Sequence, residues 1–417
     1  MDDDDTALSI LRQRPAASGR QVVESVLTSG AEPARSLYIH VPFCFHKCHY
    51  CDFYSFVDTQ DRQGVFVDRL LDELRAVAPL AGGQPLRTVF VGGGTPTLLV
   101  DELWRRLLDG LSGLFDLSMI TSGRGEFTVE CNPETARPEL FDILVAGGVN
   151  RISIGAQTFN TEHLRTLERH HDPDSVGRSV ELANAAGIPH RSVDLIYAIP
   201  GQTESDVAAD LDTALSLPID HVSAYNLTYE PLTAMTFRME RGDFTPADED
   251  TELEMFWLVR ERCLARGFEA YEVSNFARPG GECRHNLAYW RQEQWIAAGP
   301  SASAHVGGHR YKIIPRLTDY LDFSDDGFAP MVDHESPDAS RALAEIIMTG
   351  IRLSEGIDID RCFAHAEALG AHETLRSEID AARSNGWLMD DTERLVLNER
   401  GLPLADHIAS CLMSALG

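Results

Sequence analysis

The 417-residue sequence is poor in positive charge. Lys and Arg together number 36 against 65 Asp and Glu, which gives a formal net charge of −29. Binding a polyanion requires Lys and Arg clustered on one surface, because each phosphate contact neutralises a negative charge. The composition therefore argues against nucleic acid as a partner.

Long apolar runs are absent as well. No segment approaches the roughly 20 apolar residues of a membrane-spanning helix, and the first ten residues, MDDDDTALSI, have neither the basic start nor the apolar stretch of a secretory signal. The sequence also contains no Ser-His-Asp order, P-loop or Walker lysine. We therefore predict a cytoplasmic protein without a transmembrane segment, which could still work peripherally at a membrane.

Three of the eight cysteines are clustered in HVPFCFHKCHYCDF, residues 40–53. Cys44, Cys48 and Cys51 have a C-x₃-C-x₂-C spacing, which in a reducing compartment indicates metal or redox chemistry. One interpretation is a zinc site completed by His46 or His49. The other is a [4Fe–4S] cluster, in which three thiolates leave one iron open to a small ligand. The position of the loop directly after a strand favours the cluster.

The strand and helix pattern predicts an α/β fold. From residue 36 onward, short β-branched runs such as SLYIHV and RTVFVG alternate with amphipathic segments, in about six strand–helix units. Such alternation predicts a parallel sheet, open or closed into a barrel, with the working residues at the carboxyl ends of the strands. Functional residues are therefore expected just after each strand.

Four regions follow from the change in pattern along the chain. We predict a loosely ordered lead over 1–35, a (β/α) core over 36–228, a connecting region over 229–330 and a winged-helix-like domain over 331–417. In the last region GWLMDDTERLVLNERG is typical of a two-stranded wing turning at Asp390 and Asp391. Because this region is not basic, we predict a packing or partner role rather than DNA reading.

Three segments resemble the radical S-adenosylmethionine (SAM) superfamily. YIHVPFCFHKCHYCDF, GGGTPT and RISIGAQTFN are similar to signatures of the branch that contains oxygen-independent coproporphyrinogen III oxidase and the HemW-type haem chaperones, and the likeness extends over about residues 36–400. It implies a partial (β/α)₆ barrel and a [4Fe–4S] cluster held by Cys44, Cys48 and Cys51. S-adenosylmethionine would then bind the open iron and be split to a 5′-deoxyadenosyl radical.

The glycine run after the second strand has two interpretations. Its residues alone indicate either a tight strand-to-helix turn or a loop that lets the backbone approach a ligand closely. The resemblance assigns Gly93, Gly94 and Thr95 to the ammonium and carboxylate groups of S-adenosylmethionine. It assigns Glu130, which ends the third strand, to the methionyl or ribose part; without the resemblance, Glu130 is equally suited to a helix cap or strand-end hydrogen bond.

Five further positions match the superfamily. Gln157 and Asp194 belong to the fourth and fifth strand segments, and Arg169 follows in TLERHH. Tyr38 and Tyr50 flank the cysteines where the family packs an aromatic ring against cofactor. The resemblance therefore predicts that all five contribute to cofactor binding.

Phe53 is a departure from the oxidase pattern. Oxygen-independent coproporphyrinogen III oxidases carry C-x₃-C-x₂-C-x-C, and Phe53 stands where the last cysteine would be. That cysteine is not a cluster ligand in the family, so the cluster is still expected. Its absence argues against oxidative decarboxylation of coproporphyrinogen and is shared with HemW-type relatives.

The segment HNLAYW, His285 to Trp290, is similar to the HNxxYW motif associated with haem binding in HemW-type proteins. A neutral imidazole can ligate haem iron, and flanking aromatic rings can cover the macrocycle. A structural histidine beside buried aromatics is the alternative. Cys283 and the more weakly indicated His305 are other candidate ligands.

The predicted function is that of a haem chaperone. It would bind haem, a [4Fe–4S] cluster and S-adenosylmethionine and pass haem to respiratory apoproteins at the membrane. The rivals are a coproporphyrinogen III dehydrogenase and a radical SAM methyltransferase, with a zinc-binding interaction protein as a more distant alternative. Whether the chain is an enzyme stays open at this point.

Overall fold

The main structural element is a mixed sheet of twelve strands. The computed structural model describes residues 17–416; residues 1–16 of the predicted lead and Gly417 lie outside the described part. The strands are β1 (Ser36–Val41), β2 (Thr88–Gly93), β3 (Glu126–Cys131), β4 (Arg151–Gln157), β5 (His190–Tyr197), β6 (His221–Asn226), β7 (Glu269–Ala270), β8 (Asn275–Ala277), β9 (Trp295–Ala298), β10 (Ser303–Val306), β11 (His309–Ile313) and β12 (Met331–Glu335).

The strand order is β12-β11-β10-β9-β1-β2-β3-β4-β5-β6-β8-β7. Strands β1 to β6 are parallel and lie side by side in chain order, as the sequence pattern predicts, and β9 adds to β1 in the same direction. Antiparallel strands extend both edges. The predicted α/β class is confirmed, and the carboxyl ends of seven parallel strands meet at one edge of the sheet.

Helices connect the parallel strands. Helix α1 (Gly19–Ser29) precedes β1, and crossovers between β1 and β6 are made by α2 (Gln63–Val77), α3 (Asp101–Leu114), α4 (Ser118–Thr121), α5 (Pro138–Ala146), α6 (Thr161–Thr166), α7 (Pro173–Ala185) and α8 (Glu204–Ala214). The connecting region contributes α9 (Ala234–Glu240), α10 (Glu249–Ala265), α11 (Arg284–Trp290) and α12 (Leu317–Asp322).

Alternation along the strands separates an apolar face from a polar one. In β1, Leu37, Ile39 and Val41 are fully buried in the hydrophobic core beneath the helices. Tyr38 and His40 point to the opposite face, since successive side chains of a strand alternate. The same rule places serines and acids of the other strands on that second face, which becomes the wall of the cavity described below.

The C-terminal region has its own hydrophobic cluster. It contains α13 (Ala339–Gly350), β13 (Ile357–Asp358), α14 (Ile359–Ala368), α15 (His372–Ser384), β14 (Arg394–Leu395) and α16 (Ala405–Met413). Leu388 bridges Leu397 across the wing predicted from the sequence, and the Met389 amide donates to the Val396 carbonyl at 2.8 Å. Strand β14 itself pairs with the distant β13. None of the helices between residues 17 and 416 combines the length and apolarity that crossing a bilayer requires.

Candidate functional site

Cys44, Cys48 and Cys51 lie in the loop that follows β1, at the carboxyl edge of the sheet. All three are free cysteines, partly exposed, and they line one cavity of about 870 Å³. Most of the other predicted cofactor-binding residues line the same cavity: Tyr50, Gly93, Gly94, Thr95, Glu130, Gln157, Arg169 and Asp194. The structure therefore brings these sequence-predicted residues together.

Backbone hydrogen bonds hold the cysteine loop against the glycine run. The amide of Gly94 donates to the Val41 carbonyl at 2.8 Å, and the amide of Thr95 donates to the Phe43 carbonyl at 2.7 Å. Cys44 donates its own amide to Phe56 at 2.9 Å. The start of the cysteine loop is thus held by the segment that follows β2 and by Phe56.

The donor set suits an iron–sulfur cluster. Burial raises the pKa of the Cys44 thiol and raises that of Cys51 to about 11, so both thiols are protonated until a metal displaces the protons. Arg169 donates to the Cys48 sulfur at 3.8 Å, which places a positive charge beside the thiolates. Three thiols facing one cavity, with a cation next to them, fit a [4Fe–4S] cluster that keeps one iron open.

The glycine run is required by close packing. A side chain at Gly93 would overlap the His40 ring, and Gly93 has φ of 107°, which L-residues rarely adopt. A Cβ at Gly94 would lie 2.7 Å from the Phe43 carbonyl oxygen. The amides of Gly93, Gly94 and Thr95 all donate within the protein. These amides are therefore already used and do not serve the predicted contact with a carboxylate group, whereas carbonyl oxygens of the loop can accept from an ammonium group.

Glu130, the penultimate residue of β3, holds its carboxylate against the glycine run. Its Oε2 accepts from the Gly93 amide at 2.9 Å. Burial, with a further contribution from the negative charge of Asp194, raises the pKa of Glu130 to about 7. The carboxyl group can therefore gain or lose a proton near neutral pH inside the cavity.

Asp194 is held by hydroxyl groups from three strands. Ser153 of β4, Ser192 of β5 and Ser223 of β6 donate to it at 2.8 Å, 3.2 Å and 2.8 Å respectively. Burial raises the pKa of Asp194, and these hydroxyls bring it part of the way back. The sequence prediction did not include the serines, although each occupies an inward-facing position of its strand.

Arg169 connects the fourth strand to the cysteine loop. Its Nη2 donates to the Gly155 carbonyl at 2.8 Å while Nη1 reaches Cys48. Burial by itself would lower the pKa of Arg169, but the neighbouring Tyr50 and Cys48 raise it, so the guanidinium stays charged. Gln157 adopts a φ of 66° at the register shift that ends β4. Both side chains thereby lie in the cavity wall.

The two predicted aromatic residues are placed differently. Tyr50 lines the cavity beside the cysteines. Tyr38 lies on the cavity face of the sheet. Its hydroxyl hydrogen-bonds there with His40 Nδ1 at 3.0 Å, and His40 Nε2 bonds to the Tyr54 carbonyl at 2.8 Å. Tyr38 is not among the residues that line the cavity. It supports His40, against which Gly93 packs.

His285 lies in α11, beneath the amino end of β2, with an exposed fraction of 0 %. Its Nδ1 hydrogen-bonds with Thr88 Oγ1 at 2.8 Å and its Nε2 with the Tyr289 hydroxyl at 2.8 Å. Burial lowers its pKa to about 4, so the ring is neutral. Both ring nitrogens are engaged, and the structure does not bring His285 to the cysteines.

A second cavity, of about 470 Å³, lies beside α11. Its wall includes Tyr289 and Trp290 of α11, Trp295 of β9, Arg310 of β11 and Met348 of α13. The full lining consists of Tyr225, Asn275, Asn286, Tyr289, Trp290, Gln292, Trp295, Arg310, Glu345, Met348 and Thr349. Tyr225 and Asn286 also line the first cavity, so the two cavities adjoin.

The other two candidate haem ligands also differ in position. Cys283 is buried in the floor of the first cavity, where its thiol donates to Glu126 Oε1 at 3.4 Å. His305 packs its ring edge-on against Trp295, with centroids 5.3 Å apart. Trp295 lines the second cavity, and His305 is not among its lining residues.

Comparisons with known proteins decide the family. Residues 38–214 match the radical SAM superfamily, and residues 338–404 match the HemN C-terminal domain. The heme chaperone HemW of Mycobacterium tuberculosis strain H37Rv is 38 % identical over 90 % of this chain and 94 % of that protein. The chain belongs to the HemW family of radical SAM proteins. HemW of Escherichia coli is 32 % identical over 88 % of this chain and 95 % of that one.

The fold of this HemW-family chain is also that of a solved relative. The coproporphyrinogen III oxidase HemN from Escherichia coli, described as a radical SAM enzyme, superimposes with a TM-score of 0.81 over 99 % of each chain, at 22 % identity. At 22 % identity this similarity establishes the fold and gives no evidence about function. The resemblance stated from the cysteine, GGGTPT and RISIGAQTFN segments is therefore confirmed at the level of family and fold.

The sequence analysis did not predict the residues that position the HNLAYW segment of this HemW-family chain. Glu126 and Arg151, which anchor α11, open their strands as charged residues in otherwise apolar runs, and that is a signal for a buried pair. Thr88 opens β2 and gave no signal, because its partner His285 is 197 positions away in the sequence. The roles of the individual cofactor-binding residues stay predictions.

Proposed function

We propose that this protein is a haem chaperone that binds haem and delivers it to haem-accepting respiratory proteins at the membrane, working from the cytoplasm. Its support is membership of a family whose curated members carry the name heme chaperone. The observation that carries the proposal is the second cavity, whose wall is built from the HNxxYW helix and which adjoins the cysteine cavity through Tyr225 and Asn286.

The chemistry of the second cavity matches a porphyrin. Tyr289, Trp290 and Trp295 offer aromatic faces to a planar macrocycle. Arg310 lies at the same wall, where it is paired with Glu345 through two hydrogen bonds of 2.6 Å and 2.8 Å. A propionate could take the place of Glu345, because guanidinium binds carboxylate through two parallel hydrogen bonds. Met348 is 44 % exposed and supplies a thioether, an established type of haem-iron ligand.

The cysteine cavity would hold the cluster and S-adenosylmethionine. Cys44, Cys48 and Cys51 would hold the [4Fe–4S] cluster, and the carbonyl groups of the GGGTPT loop would accept from the ammonium group of S-adenosylmethionine. When bound, the cluster supplies one electron that can split the sulfonium. Arg169 keeps a positive charge beside Cys48, and the backbone hydrogen bonds of the cysteine loop keep the thiols at the cavity wall.

His285 keeps its predicted role as haem ligand only if its ring leaves Thr88 and Tyr289. In the present conformation it bonds with the hydroxyl of Tyr289, whose ring lies in the cavity wall. Replacing His285 would therefore release Tyr289 even without any bond from His285 to iron. Loss of an iron ligand would change the Soret maximum of bound haem, whereas loss of a positioning contact would lower the affinity and leave the maximum in place.

Titration with haemin tests the proposal. The wild-type protein should shift the Soret band with about one haem per chain, and His285→Ala should weaken binding. His221→Ala is the matched control, because His221 is equally buried and bonds with Ser192 and Tyr271 at 2.8 Å each. An unchanged haemin spectrum in the wild type would remove the chaperone proposal. Equal losses in both variants would mean that only the fold had been damaged.

Two further variants locate the haem. Trp290→Ala should weaken haemin binding if the second cavity holds it, since stacking area is lost. Met348→Leu conserves volume, so a changed Soret maximum with preserved affinity would identify sulfur as an iron ligand. If neither variant altered binding, haem would sit elsewhere and the assignment to this cavity would be wrong.

The rival function is decarboxylation of coproporphyrinogen. Phe53, which stands in place of the fourth cysteine of the oxidases, is 59 % exposed on the cavity wall. Incubation with coproporphyrinogen, S-adenosylmethionine and an electron donor should yield no protoporphyrinogen. A robust yield would establish the oxidase function in spite of Phe53.

A further inference from the structure

His46, Glu168 and His170 converge at the mouth of the cysteine cavity. Glu168 Oε2 lies 3.9 Å from His46 Nε2 and 3.4 Å from His170 Nε2. The ligand atoms of all three residues lie within 4.8 Å of one another. The imidazole rings of His46 and His170 meet edge to face with centroids 4.6 Å apart. Two imidazoles and a carboxylate thus share one small volume.

The spacing matches the coordination sphere of a divalent cation. Zinc bonds to histidine nitrogen and carboxylate oxygen at about 2.0–2.2 Å, so two ligands of a tetrahedral ion are separated by about 3.4 Å. The Glu168–His170 distance of 3.4 Å equals that value, and the Glu168–His46 distance of 3.9 Å is slightly longer. A small rotation of the exposed His46 side chain would complete the set.

Two loops supply these three residues. The conformation of the loops keeps the two histidines and Glu168 apart from the cysteines. His46 lies between Cys44 and Cys48, while Glu168 and His170 follow α6. Between the latter two, Arg169 turns inward to Cys48 and Gly155. Glu168 has φ of 53°, and its carboxylate points outward to the two histidines. The loop thus presents Arg169 to the cysteines and Glu168 with His170 to solvent.

We propose that His46, Glu168 and His170 bind a zinc-type divalent cation at a site separate from the cluster cysteines. Three protein ligands leave the fourth position of a tetrahedral ion to water or to an external anion. The bound ion would join the cysteine loop to the segment after α6 across the mouth of the cavity. Zinc in this place would therefore limit movement of the cysteine loop.

Metal analysis of the cluster-loaded protein tests the site. Protein reconstituted anaerobically, equilibrated with zinc sulfate and desalted, should retain about one zinc while keeping about four iron per chain. His170→Ala and Glu168→Gln should each lose the zinc and keep the iron, since neither residue is a cluster ligand. His365→Ala, a partly exposed histidine on α14, is the matched control and should keep both metals.

A measurement on protein that lacks the three cluster cysteines makes the result independent of the proposed function. In a Cys44→Ser, Cys48→Ser, Cys51→Ser variant no cluster can form, and one zinc should still bind in a manner abolished by His170→Ala. Zinc that appears only as iron is lost would place the metal on the cysteines and overturn the proposal. Zinc that persists in His170→Ala and Glu168→Gln would overturn it as well.

Discussion

Arg151 and Glu126 form an ion pair of 2.9 Å in which the two side chains are only 2 % and 3 % exposed. Glu126 also accepts from the amides of Arg284 and His285, and Arg151 donates to the Gly281 carbonyl at 2.8 Å. Burial opposes ionisation of Glu126, yet Arg151 and these amides hold its pKa below the usual range. The pair therefore fixes the HNxxYW helix to β3 and β4.

Breaking this pair should strongly destabilise the protein. Arg151→Met leaves Glu126 buried without its counter-charge, and loss of one partner of a buried pair typically costs about 3–5 kcal/mol. The free energy of unfolding, measured by denaturant titration, should fall by that amount. The exposed pair Arg75–Asp72 provides the control, and Arg75→Ala should change the free energy by less than about 0.5 kcal/mol. Similar values for both variants would contradict the anchoring role.

Glu130 should make stability depend on pH. The pKa of Glu130 in the folded protein is about 7, above the ordinary value of 4.5, so the fold favours the protonated carboxyl group. The contribution of Glu130 to the free energy of unfolding is therefore fully present below about pH 4.5 and is lost as the pH rises through 7. Glu130→Gln removes this ionisation. The variant should therefore be more stable than wild type at pH 8, by up to about 3 kcal/mol, and the difference should shrink towards pH 5.

Denaturant titrations at pH 5 and pH 8, without added ligand, measure this difference. Glu102→Gln, at an exposed position of α3, controls for the loss of one charge. A stability difference between wild type and Glu130→Gln that is the same at both pH values would show that the carboxylate is not destabilised by its site.

Gly93→Ala should damage the cavity. The new methyl group would overlap the His40 ring, which hydrogen bonds hold on both sides, and φ at Gly93 is unfavourable for alanine. We expect a loss of at least about 2 kcal/mol in the free energy of unfolding, together with lower iron content after reconstitution.

Gly113→Ala is the matched glycine control for that prediction. Apart from its chain neighbours and the backbone of its own helix, no atom lies within 4 Å of a Cβ at Gly113 in α3. Alanine there should be neutral or stabilise the helix by up to about 1 kcal/mol. Equal tolerance of both substitutions would show that the close approach of Gly93 to β1 is not required.

The cluster itself can be tested by removing its ligands. Anaerobic reconstitution should give about four iron per chain, and each of Cys44→Ser, Cys48→Ser and Cys51→Ser should lower the iron content sharply. Cys411→Ser, in α16, should not change it. A wild-type protein that contained stoichiometric zinc and no iron in place of the cluster would contradict the assignment.

Much of the fold could be predicted from local pattern. The alternation of strands and amphipathic helices predicts parallel strands, and the wing between Leu388 and Leu397 is visible in residue order. The parallel addition of β9 to β1 was not predictable in the same way, because Ser36 pairs with Trp295 across most of the chain. The periodicity of hydrophobic residues along one segment does not indicate which distant strand that segment will pair with.

The cysteine cavity was largely predictable because its residues follow successive strands, and parallel strands bring their carboxyl ends to one edge. The surroundings of the HNLAYW segment were not predictable. HNLAYW is a recognisable motif, but only the packed structure shows that His285 bonds with Thr88 and Tyr289 on either side of its ring. Likewise, the sequence separates His46 from Glu168 and His170 by more than a hundred positions.

The sequence by itself determined the family, the α/β class and the placement of three cysteines in a loop after the first strand, since spacing and strand order suffice for these. Tertiary structure alone decided which side chains face each other. It turned His285 away from the cysteine cavity, joined Glu126 to Arg151, and set Glu168 between two histidines. Those relationships depend on contacts between distant segments, which form only when burial of the apolar faces brings the strands and helices together.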